Sequence, residues 1–509
     1  MAQSLQPSYE QLAARVAAQG QLLAEQAVVI EGLRAEVVAL GRQLGRDSTN
    51  SSSPPSKDGP AAKAKAKVKA RSRTVAQKNP GRRAQGGQPG HPGSGLVRVR
   101  TPDAVQELEP PECGGCGGGL AGAPGRIASS VQVFDLPTFA VQVTEYLLMA
   151  RTCACGHVST AVLPVGIRGG PTCYGPNIAA AASLLASCDV IGIERAAQLM
   201  SDLLGVVIST GFVSSCLQRL DAALVAAGFE DALKDGLGQA DVLGVDETPA
   251  ALTTAATGVK DCHNPHVFTV RTMGAYTGCS PGPAGDLVWY GAAGNRTKAP
   301  IRDFGLLETF TGVLVRDDFG GYTSYDTQLA GVQQCLAHIF RYLDDTHTID
   351  PASQAWTRQV IDVLREAIHT VKTVRAQGES SLDAEHLEEL KHRYDQAVAV
   401  GISTNLSRSW PGGNHPGLQL ANRLKRKKNQ MWLFTTRFDV PPTNNGSEHA
   451  VRGVKLFVKV KGCWRTLATL QRHCRIRSYL TTTTNHGIRT IDAIRDALNG
   501  TCWMPPTPA

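Results

Sequence analysis

From Leu12 to Leu44 the positions Leu12, Val16, Gln19, Leu23, Gln26, Ile30, Leu33, Val37, Leu40 and Leu44 lie alternately four and three residues apart. This repeat of about 3.5 residues predicts a helix with a coiled-coil seam over residues 1–46. Gln19 and Gln26 are polar seam positions that restrict register, and Gly41 and Gly45 close the pattern. The alternative is an amphipathic helix lying on the body of the same chain; self-association into a homo-oligomer is the favoured reading. Residues 47–100 then lose almost all large apolar side chains, running DSTNSSSPPSKDG, KAKAKVKARSR and a Gly/Pro-rich stretch. Such a segment buries too little to offset the entropy of ordering, which predicts a flexible basic linker.

Patterning returns in residues 101–170, where VQVFDLP and VQVTEYLLMA alternate as strands do. Residues 171–238 carry small and apolar residues at helical spacing. The stretch VIGIERAAQLMSDLLGVVISTGFVSSCLQRL has the rhythm of a helix-turn-helix, although plain helical packing explains it as well. From 239 to 480 the pattern turns to strands, with QADVLGVDETPA, HVFTVRTMG and DLVWYGAAG predicting a meander and TGVLVRDDFGGY a further strand. Long amphipathic helices (WTRQVIDVLREAIHTVKTV, LDAEHLEELKHRYDQAVAV) read as a helical insertion at about 342–430, and residues 481–509 as a C-terminal helix and tail. The fold class expected is therefore multidomain α+β. The most apolar run, Ile178 to Ile191, is broken by Ser183, Ser187 and Asp189, short of the roughly 18 residues a membrane span needs. No membrane partner is expected.

Composition and charge sharpen this picture. With 42% hydrophobic and 19% charged residues in 509, a wholly disordered or fibrous chain is excluded. The net charge of +8 is unevenly held: residues 51–100 carry 12 Lys or Arg against Asp58, and residues 423–477 carry 14 against Asp439 and Glu448. Two basic blocks on an acidic body point to a polyanion met at two places, with nucleic acid as the partner. The opening MAQSLQPSYEQLAARV has no basic-then-apolar leader, so a cytoplasmic, nucleoid-associated location is expected. Thirteen cysteines, an odd number, argue for thiols and metal ligands over a disulfide framework.

Four of those cysteines form two tight pairs, Cys113-Gly-Gly-Cys116 and Cys153-Ala-Cys155, the second followed by Gly-His157. Two thiolate pairs joined by a hairpin make a zinc-ribbon-like module holding one structural Zn²⁺. The second pair is tighter than C-x-x-C, so either Cys155 or His157 completes the set. Carboxylates supply the other chemistry. Asp246 ends one apolar strand and Asp317-Asp318 another, while Asn444, Asn445 and Ser447 are helix-starting residues that place Glu448 in a first helical turn. Alone, Glu448 reads as an i,i+4 partner of Arg452. Together with two strand-end aspartates it reads as the third arm of a metal-binding carboxylate set.

These residues carry a resemblance. The seam helix followed by NSSSPPSKDG, the Cys-pair module, VDETP, VLVRDDFGGY, CLAHIFRYL, VPPTNNGSEHAVR and GCWRT…RIRSYLTTTTNHGIRTIDAIRDALNG follow the order found in transposases of the IS66 family. The resemblance implies an RNase H-like catalytic domain with an Asp-Asp-Glu triad, carried over as Asp246, Asp317 and Glu448. Asp318-Phe319 stand where the family often has Gly-Tyr or Gly-Trp, which leaves Asp317 against Asp318 open; the count back from Tyr322 favours Asp317. Cys335-Leu-Ala-His338, with Arg341 after it, is similar to a C-x-x-H signature following the second Asp in related groups, and without further ligands it is not read as a metal site.

The implied chemistry is two Mg²⁺ (or Mn²⁺) ions about 3.5–4 Å apart, cutting DNA and then joining strands. Lys425, Arg426, Lys427, Lys428, Arg452, Lys455 and Lys459 are the implied phosphate contacts, and Trp432 and Trp464 are read as core before base-stacking residues. Small accessory proteins of the element are possible partners. The competing functions are a zinc-dependent DNA-binding regulator with a silent sheet domain, and a nuclease or junction resolvase that cuts without joining.

Overall fold

The computed structural model describes residues 9–44, 98–135, 140–253, 262–273, 285–410 and 413–506. The linker reading for residues 47–97 lies outside them. The chain divides into two compact units. Among described residues the smaller one spans 98–144 with Leu203–Gly205, and the larger holds the rest.

The smaller unit is built of turns. Gly117 donates its N–H to Cys113 O and Cys113 donates to Gly118 O, closing a knuckle around Cys113 and Cys116; Gly117 itself takes a positive φ of 72°. The strands expected at VQVFDLP and VQVTEYLLMA are not formed by their described residues, apart from Ala150. The alternation is real, but Val131 is 85% and Val143 89% exposed, and a strand without a partner cannot close its backbone hydrogen bonds.

In the larger unit, helix α1 (Tyr9–Leu44) is continuous. A short hairpin follows, β1 (Ala150–Thr152) and β2 (Val158–Thr160), with Cys153 and Cys155 in its turn. Four helices come next: α2 (Pro176–Ser187), α3 (Ile193–Leu204), α4 (Thr210–Ala226) and α5 (Phe229–Gly238). Ser209 caps α4 through Phe212 N–H. The apolar face of α4, with Cys216, Leu220 and Leu224, is buried in the main core, so the helix-turn-helix rhythm here serves packing.

A five-stranded mixed sheet is the centre of the unit. It contains β3 (Val242–Pro249), β4 (His266–Thr272), β5 (Val288–Ala293), β6 (Val313–Arg316) and β7 (Gly331–Gln334), in the order β5-β4-β3-β6-β7. The first three form the expected antiparallel meander; β6 adds in parallel to β3, and β7 in parallel to β6. A short helix, α6 (Lys298–Asp303), connects β5 to β6. Between β7 and the last strand-packing helices lie α7 (Leu336–Ile349), α8 (Trp356–Ala376), α9 (Ala384–Leu406), the two-residue strands β8 (Ser409–Trp410) and β9 (Gly413–Asn414), α10 (Pro416–Arg426) and α11 (Lys428–Trp432). They enclose a separate core of Trp356, Tyr394, Trp432 and Phe434. The chain then returns through α12 (Asn445–Lys461), α13 (Leu467–Asn485) and α14 (Thr490–Leu498).

One sheet face packs Phe268 and Trp289 against Phe229 and Tyr479 of the helices, and the other packs Val267, Val288 and Tyr290 against Val454, Trp464 and Leu470. Trp432 and Trp464 are thus core residues, Trp464 stacking on Phe457 at 3.8 Å between ring centroids. Among the described residues no single helix is long and apolar enough to cross a membrane, and the described cysteines are free thiols.

Candidate functional site: aspartates of two parallel strands beside a helix start

Strand register brings the chemistry together. Gly244 of β3 pairs with Val315 of β6, so Asp246 and Asp317, each two residues further on, lie on the same side just past the β3–β6 pairing; β3 itself does not end at Asp246, as the sequence suggested, but runs on to Pro249 against β4. Arg316 of β6 pairs with Gln334 of β7, and Cys335 N–H donates to Arg316 O at 2.8 Å, which brings Cys335 to that end as well.

Helix α12 closes the site from above. Asn444, fully buried at its start, donates its side-chain amide to Val245 O at 2.6 Å, and its backbone N–H to Cys335 Sγ at 3.2 Å. Gly244 makes the approach possible, since a Cβ there would sit 2.6 Å from Ser447 Oγ and 2.7 Å from Met273 Sδ. Glu448 falls in the first turn of α12, as expected from the Asn-Asn-Gly-Ser start. Its Oε1 lies 3.7 Å from Cys335 Sγ, 3.4 Å from His338 Nδ1 and 3.7 Å from Arg341 Nη2.

The electrostatics are those of crowded negative charge. Burial, with Glu247 and Asp317 beside it, pushes the Asp246 carboxyl up to about 8, and Glu448 adds to the effect. Burial and Asp317 also raise Glu247, against Arg296 and the Tyr322 hydroxyl, both of which hydrogen-bond to it. Neighbouring carboxylates that raise one another in this way repel as anions, a repulsion that any nearby positive charge relieves.

Asp318 differs from Asp317. It ion-pairs with Arg423 at 3.1 Å and with Lys427, both at the end of the α10 segment. Asp317 accepts Phe319 N–H at 2.9 Å; it helps, after Glu247, to raise Asp246 and also raises Glu247.

Residues 171–472 match the model of the family described as Transposase IS66 family. The chain belongs to the IS66 transposase family. Transposition is therefore its general function, it is a nucleic-acid-processing enzyme, and DNA is its partner. The matched segment contains Asp246, Asp317, Cys335, His338 and Glu448, and leaves out both cysteine pairs. Residues 5–96 match a second family, DUF6444, described as of unknown function. No curated protein matches the chain.

Of the basic residues named from the sequence, Lys425, Arg426, Arg452 and Lys455 are exposed. Lys427 is engaged with Asp318, and Lys428 with Asp395 at 2.7 Å. Arg452, Lys455 and Lys459 follow Glu448 at spacings of four, three and four, so they share its face of α12. The cysteine pairs sit in turns: Cys153 N–H donates to His157 O and Gly156 N–H to Cys153 O, and backbone hydrogen bonds hold the Cys113 and Cys153 thiols below the usual range. Sequence reasoning missed Glu247, Arg296, Tyr322 and Asn444 as parts of the site. Glu247 and Asn444 stood beside named residues, whereas Arg296 carries no local signal.

Proposed function

We propose that this IS66 transposase cuts DNA at the ends of its element and joins the freed 3′ ends to a target, using Asp246, Asp317 and Glu448 on an RNase H-like catalytic domain. The observation that carries the reading is the register in which Asp246 and Asp317 both lie two residues past the last β3–β6 pair, beside the helix start that hydrogen-bonds to β3 and bears Glu448 in its first turn. Asp317 is favoured over Asp318 because two cations already neutralise Asp318. Magnesium or manganese held by the three carboxylates would activate a water or a 3′-hydroxyl and stabilise the leaving oxygen. Asn444 fixes the height of Glu448 over β3. Arg296 and Tyr322 hold Glu247 aside, leaving Asp246 and Asp317 to face the ion. Arg452 and Lys455, exposed on α12, and the half-buried Lys459 on the same side, with Lys425 and Arg426, bind strand phosphates, while Lys427 orients Asp318.

Two further parts complete the reading. Each cysteine pair, Cys113/Cys116 and Cys153/Cys155, is a thiolate pair for structural zinc. Replacing either pair by serine is expected to lower the zinc content of the purified full chain; unchanged zinc would remove the assignment. Helix α1 joins two copies so that two DNA ends are held together.

The test of the active site is Mg²⁺-dependent cleavage of a labelled duplex carrying the element's own end. Asp246→Asn, Asp317→Asn and Glu448→Gln are each expected to lose about 10³-fold or more, since each removes a ligand from an ion worth several kcal/mol. Asp318→Asn is expected to retain cleavage. Loss in Asp318→Asn with retention in Asp317→Asn moves the second ligand by one residue. Cleavage without strand-transfer products on paired ends makes the protein a nuclease, and end binding without cleavage makes it a regulator.

A further inference from the structure

Cys335 and His338 start α7, three residues apart, and face Glu448, which comes 113 positions after Cys335. These three residues place one sulfur, one nitrogen and one oxygen within 4.8 Å of one another, the one such group of three or more among the described residues. The two separations to Glu448 Oε1 match a specific geometry. Zinc bonds of about 2.3 Å to sulfur, about 2.05 Å to nitrogen and about 2.1 Å to oxygen, at tetrahedral angles, require S···O of about 3.6 Å and N···O of about 3.4 Å. The observed values are 3.7 Å and 3.4 Å.

Two further observations point the same way. His338 Nδ1 is a buried nitrogen with no hydrogen-bond partner, and it is the ring atom turned toward Glu448 Oε1. Asn444 N–H donates to Cys335 Sγ, the kind of outer contact that steadies a metal-bound thiolate. The carboxylates of Asp246 and Asp317 offer only oxygen, which suits magnesium; a thiol, an imidazole and a carboxylate together suit a softer ion.

We infer that Cys335, His338 and Glu448 form a second metal site, selective for zinc, and that filling it withdraws Glu448 from the magnesium-binding carboxylates and turns strand cleavage off. The site itself stands on its own geometry; its effect on cleavage rests on the function proposed above. Zinc replaces Arg341 as the neighbour of Oε1, and Arg341 is exposed enough to turn into solvent. Three protein ligands leave a fourth position for water.

The experiment uses the full chain in two arms. In the first, equilibrium dialysis against zinc followed by metal analysis compares wild type with Cys335→Ser and His338→Gln, their folding checked by circular dichroism. Wild type is expected to hold about one more zinc ion per chain than either variant. His338 lies partly exposed, so His338→Gln remains informative if Cys335→Ser unfolds. Equal zinc in wild type and a folded variant overturns the site.

In the second arm, cleavage in excess Mg²⁺ is read as the ratio of rates without and with micromolar zinc. The expected ratio is about 10 or more for wild type and near 1 for His338→Gln, as follows when one state excludes the other. An equal ratio in both overturns the switch. If no cleavage occurs with magnesium alone, the proposed function fails while the dialysis arm still decides the site.

Discussion

At the scale of single residues, the site is defined by which charges have partners. Asp246 lies among buried carboxylates, and Asp318, one residue from Asp317, is neutralised by Arg423 and Lys427. The raised Asp246 pKa has a thermodynamic consequence. An acid whose folded pKa lies above its unfolded value, about 3.9 for Asp, contributes stability below that value and loses it as pH rises toward the folded pKa, here about 8. In chelator, the melting temperature is therefore expected to fall between about pH 5 and pH 8. Asp246→Asn should flatten that slope, and Mg²⁺ should flatten it in wild type by neutralising the cluster. Parallel curves for wild type and variant would show that Asp246 titrates normally.

At the scale of elements, α12 serves two purposes with one face. Its first turn holds Glu448 against β3 through Asn444, and the next turns carry Arg452, Lys455 and Lys459 along the same side. On the proposed function, phosphates following this stripe are led toward the carboxylates. Arg452→Gln with Lys455→Gln should weaken binding to any duplex and reduce the slope of log K against log salt by about 1.8, roughly 0.9 for each lost contact. A loss confined to the element's own end would assign these residues to base reading instead.

At the scale of the whole molecule, helix α1 leaves the larger question of assembly. Its seam residues Val16, Leu23, Ile30, Leu33 and Val37 are exposed, although Ile30, Leu33 and Val37 border a hollow also lined by Thr348–Ala352 of the same chain. Exposed apolar positions at heptad spacing are stabilised by a second copy. Light scattering should give a multimer for the full chain and a monomer after removal of residues 1–46. An unchanged mass would leave α1 as a helix that packs on its own chain.

The sequence by itself determined what short-range pattern controls. The β3–β4–β5 meander follows from period-two alternation, the start of α12 from Asn444 to Ser447, and the continuous helix α1 from its four-three spacing. Where alternation stood without a partner, as at Val131 and Val143, the same pattern led to strands that do not form. Tertiary structure decided the rest. Arg296 meets Glu247 across 49 positions, and Cys335 meets Glu448 across 113. Whether Asp317 or Asp318 faces Asp246 depends on Arg423 and Lys427, which a separate helical segment supplies more than a hundred positions later. Local periodicity fixes which side of a strand or helix a residue takes. Only the parallel addition of β6 to β3 and of β7 to β6, and the return of α12 against β3, sets which charged and sulfur-bearing groups share a site.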